Sequence, residues 1–163
     1  MANDDVQELL TALSAAGVRH LIVGAYALAH HGFVRATGDI DVLIEPTEDN
    51  ARRLETAVRD FAAASLEYFG LSVADLSKPG LGFYMGVEPD RIDILTKISG
   101  LSFERAWKGR EATEVEGVAT AVLGFSDLIT AKRASSRKRE PGSAKALQDV
   151  ADLAWLLEHR KKR

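Results

Sequence analysis

Hydrophobic positions recur every three to four residues in several parts of this chain, and this spacing predicts helices. The longer predicted helices cover residues 4–16, 48–64 and 143–159, and a short alanine-rich helix begins at residue 24 and ends near residue 31. Another helix is expected to begin at a cap provided by Ser126 or Asp127. The last helix places several apolar side chains on one side: Leu147, Val150, Leu153, Ala154 and Leu157.

Shorter apolar runs between the helices predict β-strands. The predicted strands are residues 18–23, 39–44, 81–87 and 91–96, with a hairpin at residues 111–123 that is interrupted at Gly117. Residues 65–80 have no clear period. This succession predicts an α/β (α+β) protein in which helices pack on a mixed β-sheet and a helical C-terminal segment follows.

Composition and charge narrow the class of protein. The 163 residues fit one domain, 1–163, with a sheet-containing core over about 1–124 and C-terminal helices over about 125–160. A net charge of -3 gives no general attraction to nucleic acid or membranes. The absence of cysteine excludes disulfides, thiol catalysis and cysteine-rich zinc sites. An acidic N-terminal segment and the lack of a bilayer-length apolar run predict a cytoplasmic protein without a membrane partner.

Three aspartates on two predicted strands are the main candidates for chemistry. Asp39 and Asp41 are two residues apart and therefore project from the same face of their strand, whereas the apolar residues beside them project from the other. Asp93 is likewise flanked by isoleucines on the later strand. Carboxylates beside apolar neighbours are costly unless positive charge compensates them. The three acids are therefore predicted to bind a pair of divalent ions, Mg²⁺ or Mn²⁺, which prefer oxygen ligands.

A glycine turn and several cations are candidates for phosphate contacts. Gly24 and Ala25 stand where a strand passes into a helix, so their backbone amides lack helical partners and favour phosphate binding. Arg35 and Thr37, just before the first aspartate, are predicted to contact a nucleoside triphosphate, with arginine supplying a bidentate fork. Lys132, on a later helix, is a further candidate nucleotide contact.

Two other polar groups are expected to have structural roles. His30 is expected to pack and His31 to cap the short helix, rather than to bind a metal. The basic residues between positions 132 and 139 lack interleaved aromatic residues, which is more typical of a solvated surface than of a nucleic-acid interface.

Taken together, Gly24-Ala25, Asp39-Ile40-Asp41 and the isolated Asp93 resemble the nucleotidyltransferase superfamily that includes DNA polymerase beta. With His31-Gly32 and Arg35-Ala36-Thr37 between them, these motifs look like those of small bacterial nucleotidyltransferase-like proteins related to AbiEii-type antitoxin–toxin systems. In such relatives a lysine on a later helix is followed by arginine and aspartate residues. The positions that could match this pattern are Lys132, Arg137, Lys145, Asp149 and Asp152.

The resemblance implies metal-dependent transfer of a nucleoside monophosphate from a nucleoside triphosphate to a hydroxyl, with release of pyrophosphate. In that reaction Asp39 and Asp41 bind both metal ions and Asp93 helps to activate the acceptor. The acceptor stays open among a protein side chain, an RNA end and a small molecule. A homodimer or a toxin–antitoxin partner is also implied. Ala25, which stands where the family has Gly or Ser, favours the alternative of a catalytically inactive nucleotide- or partner-binding module, antitoxin-like in role.

Overall fold

The computed structural model of the protein describes residues 4–35 and 38–160. The strands in these ranges are β1 His20–Val23, β2 Ile40–Ile44, β3 Gly82–Met85, β4 Ile92–Leu95, β5 Glu111–Val115 and β6 Val118–Val122. The helices there are α1 Asp4–Ala15, α2 Gly24–His30, α3 Glu48–Ala62, α4 Val73–Leu76, α5 Phe103–Lys108, α6 Phe125–Lys138 and α7 Ala144–His159, with a 3₁₀ helix at Leu66–Phe69. None of these helices has the length and apolar character needed to cross a bilayer.

The strands form one mixed sheet in the order β3-β4-β2-β1-β6-β5. β2 lies between β1, to which it is antiparallel, and β4, to which it is parallel. The β3–β4 and β5–β6 pairs are antiparallel, and β6 is parallel to β1. The predicted α+β class, the strands that form β3 and β4 and the later hairpin are therefore confirmed. The two aspartate-bearing segments are neighbours within this sheet, away from its edges.

The periodic patterns explain most of the core. α1 packs against α3, and four apolar side chains spaced three or four residues apart or adjacent along α1 are fully buried: Val6, Leu9, Leu10 and Leu13. α3 begins at Thr47, whose hydroxyl accepts the backbone N–H of Asn50 at 3.3 Å. On β2 and β4 the apolar neighbours of the acids are buried, as alternation requires: Ile40, Val42, Ile92 and Ile94.

Two local expectations about the helices were wrong or incomplete. α6 is not capped by Ser126 or Asp127, because it begins two to three residues earlier, after Gly124, whose carbonyl accepts the N–H of Leu128 at 2.9 Å. The Asp127 carboxylate instead accepts from Arg105 Nε at 3.2 Å. Arg105 belongs to α5, a short helix in a segment for which the sequence predicted no element.

α7 has the predicted bounds, but the side that its apolar pattern indicates is only partly buried. Leu153 and Leu157 pack partly buried against the core, whereas Leu147 and Val150 are 63% and 59% exposed. The buried residues of α7 are Asp149, Asp152 and Leu156. Hydrophobic spacing therefore predicted the helix correctly and its orientation only in part, because buried cations outside α7 pair with these two acids.

Candidate functional site

The strand register brings the predicted acids together. Asp41 on β2 and Asp93 on β4 are paired positions of neighbouring parallel strands, so their side chains leave the same face of the sheet. Asp39 lies just before β2, and its Oδ1 accepts the backbone N–H of Arg91 at 3.0 Å. All three carboxylates line one cavity of about 240 Å³.

The glycine turn meets the acids at Asp41. β1 ends at Val23, which is in register with Asp41, and α2 begins at Gly24 with φ of +66°. A Cβ atom at position 24 would clash with Asp41 Oδ2, so both the backbone conformation and the space require glycine here. Ala25 follows in the first turn of α2 and lines the same cavity. The predicted turn and the predicted acids therefore form one wall.

The pKa of Asp41 is raised because other carboxylates lie close to it. Burial, the charge and hydrogen bond of Asp93, and the charge of Asp39 raise the pKa of Asp41 to about 6, while Lys132 lowers it in part. A partly buried set of carboxylates that repel one another is the donor chemistry that suits a hard divalent cation. Asp39, Asp41 and Asp93 therefore fit the predicted metal, and they are the residues that would hold it.

Arg91 contacts the acids directly, and the sequence analysis did not select it. Its Nη2 donates to Asp93 Oδ2 at 3.1 Å, and its Nε lies 3.0 Å from Asp93 Oδ1. The guanidinium also lies 5.0 Å from the centre of the Tyr84 ring and 3.4 Å from Glu88 Oε1. A spacing of two residues from Asp93 along an extended segment would have indicated this contact, because such residues share a face.

Cations form the opposite side of the cavity. Arg35 and Lys132, both predicted, line it, and Thr37 lies outside the described residues. Arg139 and Lys145 join them. The sequence resemblance matched its arginine to Arg137, which is exposed, whereas Arg139 is the arginine that lines the cavity.

A second cavity of about 300 Å³ adjoins the first and shares Gly24, Asp41, Lys132 and Arg139 with it. Most of its remaining lining is apolar: Val23, Leu95, Ile98, Leu123, Leu128 and Ala131. A charged chamber beside a more apolar one suits a ligand that has an anionic part and a less polar part.

The histidines have a different surrounding. Among the described residues, His30, His31 and Glu111 form the one group of potential ligands whose atoms all lie within 4.8 Å of one another, so the aspartate trio is more open than this. His31 ends α2, as predicted, and its Nε2 lies 2.8 Å from the carbonyl of Leu123. A nitrogen that donates to a carbonyl has no lone pair for a metal, so His31 ties α2 to the end of β6.

Comparisons with known proteins identify the fold. No protein-family model and no curated protein matches this sequence. ANT(2'')-Ia, solved in complex with adenylyl-2''-tobramycin, has 16% identity and a TM-score of 0.58 over 96% of this chain and 89% of that chain. An antigenic nucleotidyltransferase-like protein from Paracoccidioides brasiliensis has 14% identity and a TM-score of 0.56, over 97% of this chain and 78% of that chain.

A putative nucleotidyltransferase from Thermotoga maritima has 14% identity and a TM-score of 0.54, over 97% of this chain and 91% of that chain. At identities this low, the likeness establishes the architecture and leaves the reaction to be argued from the site. The fold of this chain is nucleotidyltransferase-like.

Proposed function

We propose that this protein is a metal-dependent nucleotidyltransferase that moves a nucleoside monophosphate from a nucleoside triphosphate to a hydroxyl acceptor and releases pyrophosphate. The observation that carries the proposal is the convergence of Asp39, Asp41 and Asp93 on one cavity, with the Gly24 turn against Asp41. The nucleotidyltransferase-like architecture supports it.

Asp39 and Asp41 would hold Mg²⁺ or Mn²⁺, with Asp93 completing the ligand set. Ions bound there would lower the pKa of the acceptor hydroxyl and neutralise charge on the leaving oxygens. The raised pKa of Asp41 supports this role, because a carboxylate that is short of positive charge gains from a cation.

The reaction needs a base on the acceptor side. The acceptor oxygen forms a bond to the α-phosphorus, the bond between the α-phosphorus and the bridging oxygen breaks, and that oxygen leaves with pyrophosphate. Asp93 is the carboxylate proposed to take the hydroxyl proton. Arg91 pairs with the same carboxylate, so Arg91 must give up part of this contact when Asp93 accepts the proton or a metal ion.

The triphosphate would lie between the glycine turn and the cations. Backbone amides of Gly24 and Ala25 are proposed to contact phosphate oxygens on one side. Arg35 and Lys132 line the cavity and would contact them on the other, and Thr37 is proposed as a further contact. The adjoining apolar cavity is proposed to receive the nucleoside, because it opens at Gly24 and Lys132.

The acceptor class stays open among a protein side chain, an RNA end and a small molecule. ANT(2'')-Ia was solved with an adenylylated aminoglycoside, which makes a hydroxyl-rich small molecule one acceptor to test here. The proposed protein partner is a second copy of this chain or a toxin–antitoxin partner, and the proposed location is the cytoplasm.

Transfer of label from the α-phosphate tests the reaction. Purified protein, Mg²⁺ and each α-labelled nucleoside triphosphate are incubated with lysate protein, with RNA and with an aminoglycoside, and label in each acceptor is counted. We expect label in one acceptor class, lost with EDTA and in Asp39→Asn, and kept in Asp60→Asn, which removes an exposed aspartate on α3. Equal labelling by wild type and Asp39→Asn would contradict the proposal.

The alternative is an inactive nucleotide- or partner-binding module. Two observations favour it: Ala25 has no hydroxyl for a phosphate, and Arg91 already neutralises Asp93. A module of this kind binds a non-hydrolysable triphosphate with Mg²⁺ but transfers no label to any acceptor. Binding without transfer would therefore replace the first proposal with the second.

A further inference from the structure

α7 carries two carboxylates into the interior. Asp149 and Asp152, one turn apart, are 3% and 0% exposed. Carboxylates at such positions are costly unless positive charge and hydrogen bonds compensate them. Their partners explain why they lie there.

Each carboxylate holds more than one cation. Lys132 Nζ lies 2.8 Å from Asp152 Oδ2 and donates to Asp149 Oδ1 at 3.2 Å. Arg35 Nη2 donates to Asp152 Oδ2 at 3.2 Å, and its Nε lies 3.1 Å from Asp152 Oδ1. Asp149 Oδ2 accepts from Arg139 Nε at 3.2 Å. Ser135 Oγ donates to that same oxygen at 2.9 Å.

These cations come from separate parts of the chain and meet at one cavity. Arg35 follows α2, Lys132 lies within α6, and Arg139 comes directly after α6. All of them line the cavity that contains the aspartate trio; Asp149 lines it as well, and Asp152 does not. Long cationic side chains lose rotamer freedom when they are fixed, so carboxylates that fix them in advance remove that cost from ligand binding.

The cluster remains positive after pairing. Arg35, Lys132 and Arg139 carry three positive charges against the two negative charges of Asp149 and Asp152, and Lys145 adds another at the same cavity. The charge of Lys132 reaches the acid wall, since it lowers the pKa of Asp41. An anion that lies between the two walls would meet cations that are already in position.

We propose that Asp149 and Asp152 are positioning residues that hold Lys132, Arg35 and Arg139 in the geometry that binds the triphosphate. This inference rests on the proposed function, because it takes the ligand of these cations to be a polyphosphate. Asp152 lies outside the lining of the cavity and acts through the cations, and Asp149 is proposed to act in the same way through Lys132 and Arg139.

Binding of inorganic tripolyphosphate with Mg²⁺, measured by calorimetry, tests the inference without depending on base or acceptor. We expect Asp152→Asn to raise the dissociation constant about 10–100-fold, the range typical of residues that orient a binding group. The matched control is Asp127→Asn. Asp127 is a buried carboxylate in the first turn of α6 that pairs with Arg105 of α5, and its replacement should leave the dissociation constant unchanged.

The direction of the change separates positioning from net charge. Removing a carboxylate makes the cluster more positive, so a purely electrostatic role predicts tighter binding in Asp152→Asn. A purely structural role predicts a lower melting temperature with unchanged affinity at temperatures where the variant is folded. Either result overturns the inference, and only weaker binding by a folded variant supports it.

A second variant covers the case in which Asp152→Asn does not fold. Asp149→Asn leaves the contacts of Asp152 with Lys132 and Arg35 in place, and we expect it to weaken tripolyphosphate binding at least about tenfold. Wild-type protein that binds tripolyphosphate and transfers no label would contradict the proposed function alone. Wild-type protein that does not bind tripolyphosphate would overturn the inference.

Discussion

Two sets of aspartates in this protein have opposite electrostatic surroundings. On the strands, burial and neighbouring carboxylates raise the pKa of Asp41 to about 6. On α7, burial alone would raise the pKa of Asp149, but Lys132, Ser135 and Arg139 together lower it. Asp41 is short of positive charge even though Arg91 pairs with Asp93 beside it, whereas the helix set is supplied with positive charge, although both sets contain the same residue type.

The difference separates two kinds of work. A carboxylate that lacks compensation gains from binding a cation, whereas a carboxylate that already holds cations fixes their positions. Lys132 connects the sets, because it pairs with Asp149 and Asp152 and also acts on Asp41. If one set binds metal ions and the other positions cations, substitutions in the two sets should have different effects on turnover, ligand affinity and stability.

The largest expected effect is on turnover. Asp93→Asn should lower kcat for nucleotidyl transfer about 10²–10⁴-fold, because it removes the proposed base. Triphosphate affinity should change little, since the cations on α6 and near α7 remain. Steady-state kinetics together with calorimetry check this, and a loss of affinity equal to the loss of kcat would contradict the division between the two sets.

Asp152→Asn should lower the free energy of unfolding by about 3–5 kcal/mol, because it removes the carboxylate that pairs with Arg35 and one of the two carboxylates that pair with Lys132. The side chains of Arg35 and Lys132 are only 21% and 14% exposed. Urea unfolding measures the loss, with Glu158→Gln as an exposed control on the same helix that should stay within about 0.5 kcal/mol. A change in Asp152→Asn no larger than the control's would show that these contacts contribute little.

Asp41→Asn should raise the free energy of unfolding, whereas Asp152→Asn lowers it, and the gain should be seen near neutral pH but not at acidic pH. The pKa of Asp41 in the folded state is raised from 3.8 to about 6, so the stability that its proton contributes is present below pH 3.8 and is lost as the pH rises through 6. A shift of about two units corresponds to at most about 3 kcal/mol. The variant should therefore be about 1–3 kcal/mol more stable than wild type at pH 7.5.

Urea unfolding in EDTA at pH 4 and at pH 7.5 measures this difference. At pH 4 the two proteins should unfold at nearly the same urea concentration, because Asp41 is then largely protonated in the folded state. A variant that is less stable than wild type at pH 7.5 would mean that Asp41 is not short of positive charge.

The smallest expected effect is stabilisation by the metal. Mg²⁺ at about ten times its dissociation constant should stabilise the protein by about 1.4 kcal/mol, or about 3–6 °C in melting temperature for a chain of this size. Asp39→Asn should abolish the shift and Asp60→Asn should keep it. If neither Mg²⁺ nor nucleotide raises the melting temperature of the wild type, the chain is a structural scaffold with no nucleotide site.

The residues of the acid wall could be predicted from sequence because short-range rules govern them. Alternation along a strand gave the shared face of Asp39 and Asp41, and apolar flanks placed Asp93 on a similar segment. Gly24 followed from the strand-to-helix passage. The two-residue spacing of Arg91 from Asp93 carried the same kind of signal, whereas Arg139 could not be selected from spacing alone, since many arginines lie near acids along the chain and only packing brings particular ones into contact.

Short elements were the other omission. α5 and the 3₁₀ helix have too few residues to show a period, so neighbouring structure decides whether they form. The start of α6 was placed too late for a related reason: Ser126 and Asp127 are good caps by residue type, but the Asp127 carboxylate pairs with Arg105, which lies more than twenty positions earlier.

The sequence by itself determined the longer helices and the strands, the face of each strand that is buried, and the acids that share a face, because these depend on periods of two and of three to four residues. Only the tertiary structure decided which strands are neighbours and which side of α7 is buried. That helix exposes Leu147 and Val150 and buries Asp149 and Asp152. The physical reason is that cations from distant parts of the chain pair with these carboxylates. Local hydrophobic spacing cannot predict such partners, because it depends only on residues that are near one another in sequence.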